Sequence, residues 1–339
     1  HMDLETVRNT AREKLKGYCR VCPVCDGRVC AGEVPGMGGV GTGSAFKANI
    51  EALASYRFNM RTIHNVKTPD TSIELWGEKL SIPVLAAPIT GTTYNMGGKM
   101  TEEEFIGAII AGSLQAGTLG MTGDAADPAL WGSAMKAIAS HQGRGIAIIK
   151  PREQKEIISH IRDVEKAGAI AVGMDIDGAG LITMALKGQP VSPKTLDEIK
   201  EVVSATRLPF ILKGIMTPEE AEMAVEAKVS AIVVSNHGGR VLDHTPGTAD
   251  VLPEIAGRVK GKITILADGG VRTGSDVLKL LALGADAVLI GRPLVIGAFG
   301  GGQDGVSLLL NKIKNELIQA MLLTGSSDVK KVSRNILYS

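Results

Sequence analysis

The chain of 339 residues carries 37 Lys and Arg against 36 Asp and Glu, a formal net charge of +1, with 44% hydrophobic and only 3% aromatic residues. There is neither a basic stripe nor a set of stacking rings for nucleic acid. No apolar run approaches the ~20 residues of a membrane helix, and no secretory pattern opens the chain, so a cytoplasmic globular protein with a sizeable core is expected.

All four cysteines fall in "CRVCPVCDGRVC": Cys19, Cys22, Cys25 and Cys30. The spacing C-x2-C-x2-C-x4-C lets four thiolates converge, as on an iron–sulfur cluster or a zinc ion. A reversible disulfide pair or inert thiols are the other readings of the same residues. The glycine-rich run that follows, residues 31–46, reads as a lid that is mobile or ordered by a metal.

Beyond it, short apolar runs bounded by turn residues recur eight times: 82–90, 116–123, 145–151, 169–177, 208–214, 231–239, 263–270 and 287–293. Amphipathic stretches such as "QKEIISHIRDVEKAG" and "TGSDVLKLLALGA" lie between them. Several open on a Thr or Ser with Glu or Asp in the first turn, the signature of a capped helix start. Strand and helix alternating eight times predict a (β/α)8 TIM barrel with an N-terminal helical and cysteine-rich extension. A doubly wound open sheet also alternates, but it gathers ligand groups at one switch point. Here polar or glycine-rich residues follow nearly every strand. The expected division is residues 1–80 as the extension, 81–325 as the barrel and 326–339 as a tail.

In such a barrel the site lies at the C-terminal ends of the strands. That rim then carries Thr90, Lys150, Asp175, Asp177, Lys213, His237, Arg240, Asp268, Arg272 and Arg292. The last two runs end in "ADGGVRTGSDV" and "IGRPLVIGAFGGG", where glycines, an arginine and a helix start make an anion cradle suited to a phosphate. Lys213 closes "PFILK"; it is a charge stabiliser, a Schiff-base lysine or one half of an ion pair. In "SNHGGR", His237 can act as a base while Arg240 fixes a carboxylate; a turn histidine bonded to backbone is the bland reading.

"SNHGGR", "LPEI", "ADGGVRTGSDVLKLLALGADAVLIGRP" and "GVSLLLNKIKNEL", with "LAAPIT" earlier, resemble the FMN-dependent α-hydroxy-acid oxidase and dehydrogenase family. The resemblance implies an FMN whose phosphate lies on Gly270, Arg272, Gly291 and Arg292 and whose flavin rests on Pro88, Ile89 and Thr90. It also implies Lys213 beside the flavin N1/O2 edge, Asp268 orienting His237, His237 as base and Arg240 on the carboxylate of a small-molecule substrate. A homo-oligomer, tetramer or octamer, is expected on the same ground. If the cysteine loop holds iron and sulfur, it could pass flavin electrons onward.

Three departures from the family pattern bear on the substrate. The Gln-x-Tyr of the third strand is replaced by Gly145 and Ala147, the loop after the fourth strand, "DIDGAGLITMALKG", has no arginine, and the N-terminal tyrosine has no clear match. An FMN-dependent non-redox enzyme resembling type 2 isopentenyl-diphosphate isomerase, or a flavin- or metal-binding sensor, is the alternative reading.

Overall fold

The computed structural model describes residues 2–339. Its centre is a parallel sheet of eight strands: β1 (Val84–Ala86), β2 (Met121–Thr122), β3 (Ile146–Ile149), β4 (Ala171–Asp175), β5 (Phe210–Ile215), β6 (Ala231–Val234), β7 (Thr264–Ala267) and β8 (Ala287–Ile290). Each falls on one of the eight expected runs. Neighbours pair in sequence order from β2 to β8, β8 pairs with β1, and a parallel bridge between Ala86 and Gly120 joins β1 to β2. The sheet is therefore a barrel.

Strands enclosed by helices outside and packed side chains inside have no solvent face, which explains their continuous apolar runs. β3, β6 and β8 are buried at every position. The helices between strands start where the sequence marks them. Thr101, Thr195 and Thr273 each accept from the backbone N–H of Glu104, Glu198 and Asp276, whose carboxylates bond back to the capping residue. Each box satisfies two N–H groups that the helix leaves unpaired.

Helix α1 (Leu4–Lys14) packs along the final helix Arg292–Leu322, and α2 (Ser44–Ala54) lies against the turn after β6. Gly300 and Gly239 permit these approaches, because a Cβ on either would collide with the backbone of Val7 or Phe46. Residues 326–339 are not a separate tail in space. Leu337 bridges to Phe58 and Asp328 to Asp70, so the tail and the segment before β1 share one layer.

A reciprocal amide pair rivets α2 to the rim. Asn49 Nδ2 donates to Asn236 Oδ1 at 2.9 Å, and Asn236 Nδ2 returns a bond to Asn49 Oδ1 at 3.1 Å. Asn49 Oδ1 also accepts from Thr248 N, and Asn236 Oδ1 from Gly239 N. Both side chains are buried, so removing one strands its partners without water. Asn49→Ala is expected to lower unfolding stability by about 1–3 kcal/mol, measured by chemical denaturation; an unchanged midpoint would show that the pair does not hold α2 in place.

Candidate active site

The parallel register delivers the C-terminal ends of all eight strands to one mouth, and the expected polar residues lie around it. β4 ends in Asp175 and continues through a 3-10 turn carrying Asp177. β5 carries Lys213, β6 runs into the 237–239 turn, and β7 and β8 run into Asp268 and Gly291. Register pairs Asp175 with Lys213 directly across β4 and β5.

His237, Gly238 and Gly239 take three successive left-handed backbone conformations, with φ of 61°, 61° and 79°. A histidine is uncommon there, and such departures concentrate where a side chain must be aimed. The aim is fixed by a carboxylate: His237 Nδ1 lies 2.9 Å from Asp177 Oδ1. This corrects the expectation that Asp268 orients His237. The Nδ1 contact leaves Nε2 to exchange a proton with a ligand. Burial alone would raise the Asp177 pKa, but the His237, Lys213 and Lys150 charges outweigh it and hold the carboxyl below the usual range.

Asp268 instead serves Lys213. Its Oδ2 lies 3.6 Å from Lys213 Nζ, which has Ser235 Oγ as a second neighbour at 3.5 Å. Burial works to discharge this ammonium, yet Asp268, Asp177 and Asp175 together push its pKa above the ordinary lysine value. A Schiff-base lysine needs a neutral amine, so that reading falls; the structure gives an ion-paired ammonium with the capacity to stabilise negative charge. Lys150 makes a similar pair with Asp175.

The three arginines of the mouth behave differently. Arg240 Nη1 donates to the carbonyls of Gly36 and Gly38 at 2.7 and 2.8 Å, and Nη2 to Asn95 Oδ1 at 3.2 Å. Arg292 donates to the carbonyls of Met37, Gly38 and Gly238, and Arg272 to those of Cys25 and Val271. Arg292 also lies 3.9 Å from the centre of the Phe46 ring, with Arg272 at 5.7 Å. The glycine-rich segment is thus a packed lid, seated by these arginines. Burial and the nearby charges of Arg272 and Arg240 push the Arg292 pKa down to about 9. Cations drawn together on neutral carbonyls call for an anion.

The residues fit an FMN phosphate at this place. Arg272 Nη2 is buried with no acceptor, a donor that an anion would satisfy. Gly269 and Gly270 have φ of 101° and 82°, a conformation other residues rarely take. A Cβ on Gly291 would meet nothing closer than Ile89 Cδ1 at 3.4 Å, so there is room beside it. Pro88, Ile89 and Thr90 line the same face, where Gly123 presses so near that a Cβ would come within 2.8 Å of Thr90 Cγ2.

The substrate end is thinner. Ala147 is buried within β3 and offers no hydroxyl. Arg152 does not replace the missing arginine of the fourth loop, since Asp124 accepts from its Nε and Nη2 at 2.7 and 2.8 Å. Asp177 and Lys150 belong to the expected rim, but which residue each would pair with is not encoded in spacing. The four cysteines lie on the lid, unpaired.

Comparisons with known proteins bear on the fold and the family. The family profile described as FMN-dependent dehydrogenase matches residues 36–185 and 183–339. A peroxisomal (S)-2-hydroxyacid oxidase of Arabidopsis thaliana is 31% identical over 88% of this chain and 89% of its own length. An L-lactate oxidase of Lactobacillus jensenii is 46% identical, but over 48% of this chain and 39% of its own; several relatives match over less than half their length in this way. The crystal structure of mandelate oxidase superposes over 100% of this chain and 98% of its own with a TM-score of 0.81 at 28% identity. Flavocytochrome b2 with pyruvate bound covers 88% and 80% with a TM-score of 0.76.

Replacing Arg292 by Gln should keep its packing volume while removing one cation from the anion site. FMN affinity is expected to fall by about tenfold to a hundredfold, the worth of a charge-assisted contact, with a smaller fall for inorganic phosphate. Fluorescence titration of flavin-free protein measures it, and undiminished binding would remove Arg292 from the cradle.

Proposed function

Because the chain belongs to the FMN-dependent dehydrogenase family, we propose that it oxidises a small 2-hydroxy acid, or a similar carboxylate-bearing alcohol, to the 2-oxo compound. The supporting observation is the pair between His237 on the β6 turn and Asp177 on the turn after β4, with Arg240 three residues beyond His237. FMN supplies the two-electron acceptor. His237 Nε2 takes a proton from the substrate, and Asp177 steadies the imidazolium that results. Lys213, held charged by Asp268, places a positive charge where negative charge develops.

Arg240 has five N–H groups, three of them engaged by Gly36, Gly38 and Asn95. Two remain for a carboxylate, and the lid carbonyls hold the guanidinium in one orientation. With Ala147 at the position of the family's tyrosine and no arginine after β4, fewer polar groups grip the substrate than the family pattern supplies. A substrate somewhat different from glycolate or lactate follows. Lys150, paired with Asp175 on the same side of the mouth, is the cation available to meet an additional polar group. The relatives and structural neighbours are oxidases of 2-hydroxy acids, which favours this reaction over a non-redox isomerisation.

Anaerobic mixing of the flavin-loaded protein with a panel of 2-hydroxy acids should bleach the oxidised flavin band with at least one acid, whereas no bleaching across the panel, with turnover of a diphosphate, would sink the proposal. Asp177→Asn and Asp268→Asn separate the two carboxylates. The first is expected to slow flavin reduction by about 10²–10⁴, as when an imidazole loses its orienting carboxylate, with FMN still bound. The second should act on the flavin side, weakening stabilisation of the reduced form. Equal effects on the reduction rate and none on the flavin potential would contradict the assignment.

A further inference from the structure

The cysteine loop has no part in the reaction just described, yet it is built with unusual care. Cys19, Cys22, Cys25 and Cys30 all line one pocket, closed on the barrel side by Phe46 and Arg292. A cavity of about 30 Å³ lies among these residues. We propose that the four cysteines ligate a [4Fe–4S] cluster in this pocket.

Sulfur spacing distinguishes the cluster from zinc. A single zinc ion binds thiolates at about 2.3 Å, so its sulfurs lie no more than about 4.6 Å apart. Among the described residues, the group of three or more ligand atoms within 4.8 Å of one another is Asp175, Asp177 and His237, not any three cysteines. No three of the thiols come within that span of one another, although all four line one pocket. A cubane, which offers one iron at each of four corners, fits four thiolates held apart around a cavity.

The backbone around the thiols is held for the purpose. Val21, fully buried between Cys19 and Cys22, has φ of 51°, a genuine outlier for a β-branched residue. Two arginines of α1 enforce it: Arg8 Nη2 donates to the carbonyls of Val21 and Cys22 at 3.2 and 2.7 Å, and Arg12 Nη2 to that of Val21 at 2.9 Å. The same turn aims Val21 N–H at Cys19 Sγ, 3.4 Å away. Amide bonds to ligand sulfur and nearby positive charge suit a cluster whose four thiolates leave it anionic. Arg292 on the pocket wall and Arg272, bonded to the Cys25 carbonyl, add to that charge. Both also face the FMN phosphate site, so the cluster sits beside the flavin cradle.

The full chain, purified anaerobically, is expected to contain about four iron and four acid-labile sulfide per chain and, after dithionite reduction, to show the electron paramagnetic resonance of a one-electron-reduced cubane. Protein isolated without metal should take up the same amounts on anaerobic incubation with ferrous iron and sulfide. Cys22→Ser should lose most iron and sulfide while keeping its flavin. One zinc per chain without sulfide, two iron with two sulfide, or no uptake on reconstitution would each overturn the proposal. These measurements are independent of the substrate, so they stand or fall separately from the oxidation of a 2-hydroxy acid.

Discussion

Three guanidinium groups brought together under one lid are the constraint on which the rest of the molecule turns. Arg240, Arg272 and Arg292 come from the turns after β6, β7 and β8, and all their acceptors are carbonyl or amide oxygens. Buried like charges are costly unless something negative joins them. The cost is visible in Arg292, driven down to about 9 by burial and its neighbours. In the proposed function, a phosphate on one side of these cations and a substrate carboxylate on the other would be the anions that join them.

Around this cationic floor the carboxylates are sorted, one to each base. Asp177 holds His237, Asp268 holds Lys213 and Asp175 holds Lys150. In the proposed reaction these pairings separate a proton-transfer role at His237 from a charge-stabilising one at Lys213. The imidazole keeps Nε2 free for a proton, while the ammonium is kept charged. The division arises because β4 and β5 pair in register at Asp175 and Lys213, which sets the order of charges along the rim.

The lid connects this chemistry to the cysteines. Its carbonyls at Gly36, Met37 and Gly38 occupy the arginines, and Gly38 lies so close to the Cys30 carbonyl that no side chain fits between them. The cysteine loop and the arginines of the mouth thus touch the same stretch of lid. A glycine-rich segment that reads from sequence as a lid, mobile or ordered by a metal, packs in the folded molecule against the arginines of the candidate site.

Much of this was legible in the residues. Eight apolar runs, nearly all followed by polar or glycine-rich residues, predict a barrel with a single functional rim, because a doubly wound sheet would gather its ligand groups at one switch point. His237, Arg240, Lys213 and the glycine-rich anion cradle stand out for the same reason: charged groups at the ends of buried strands must face a mouth. Partnership was not legible. Asp177 and Asp268 both lie just past the ends of their strands, and nothing in spacing says that the former reaches His237 while the latter reaches Lys213. The C-x2-C-x2-C-x4-C pattern likewise gathers four thiols in one loop without saying whether they hold a metal or which one, since the separation of the sulfurs depends on how α1 and the lid hold the chain. Periodicity and residue type act along the chain, so the sequence by itself determined the barrel and its reactive inventory. Distances between side chains from different strands are set by register and packing, and only the tertiary structure decided which charge meets which.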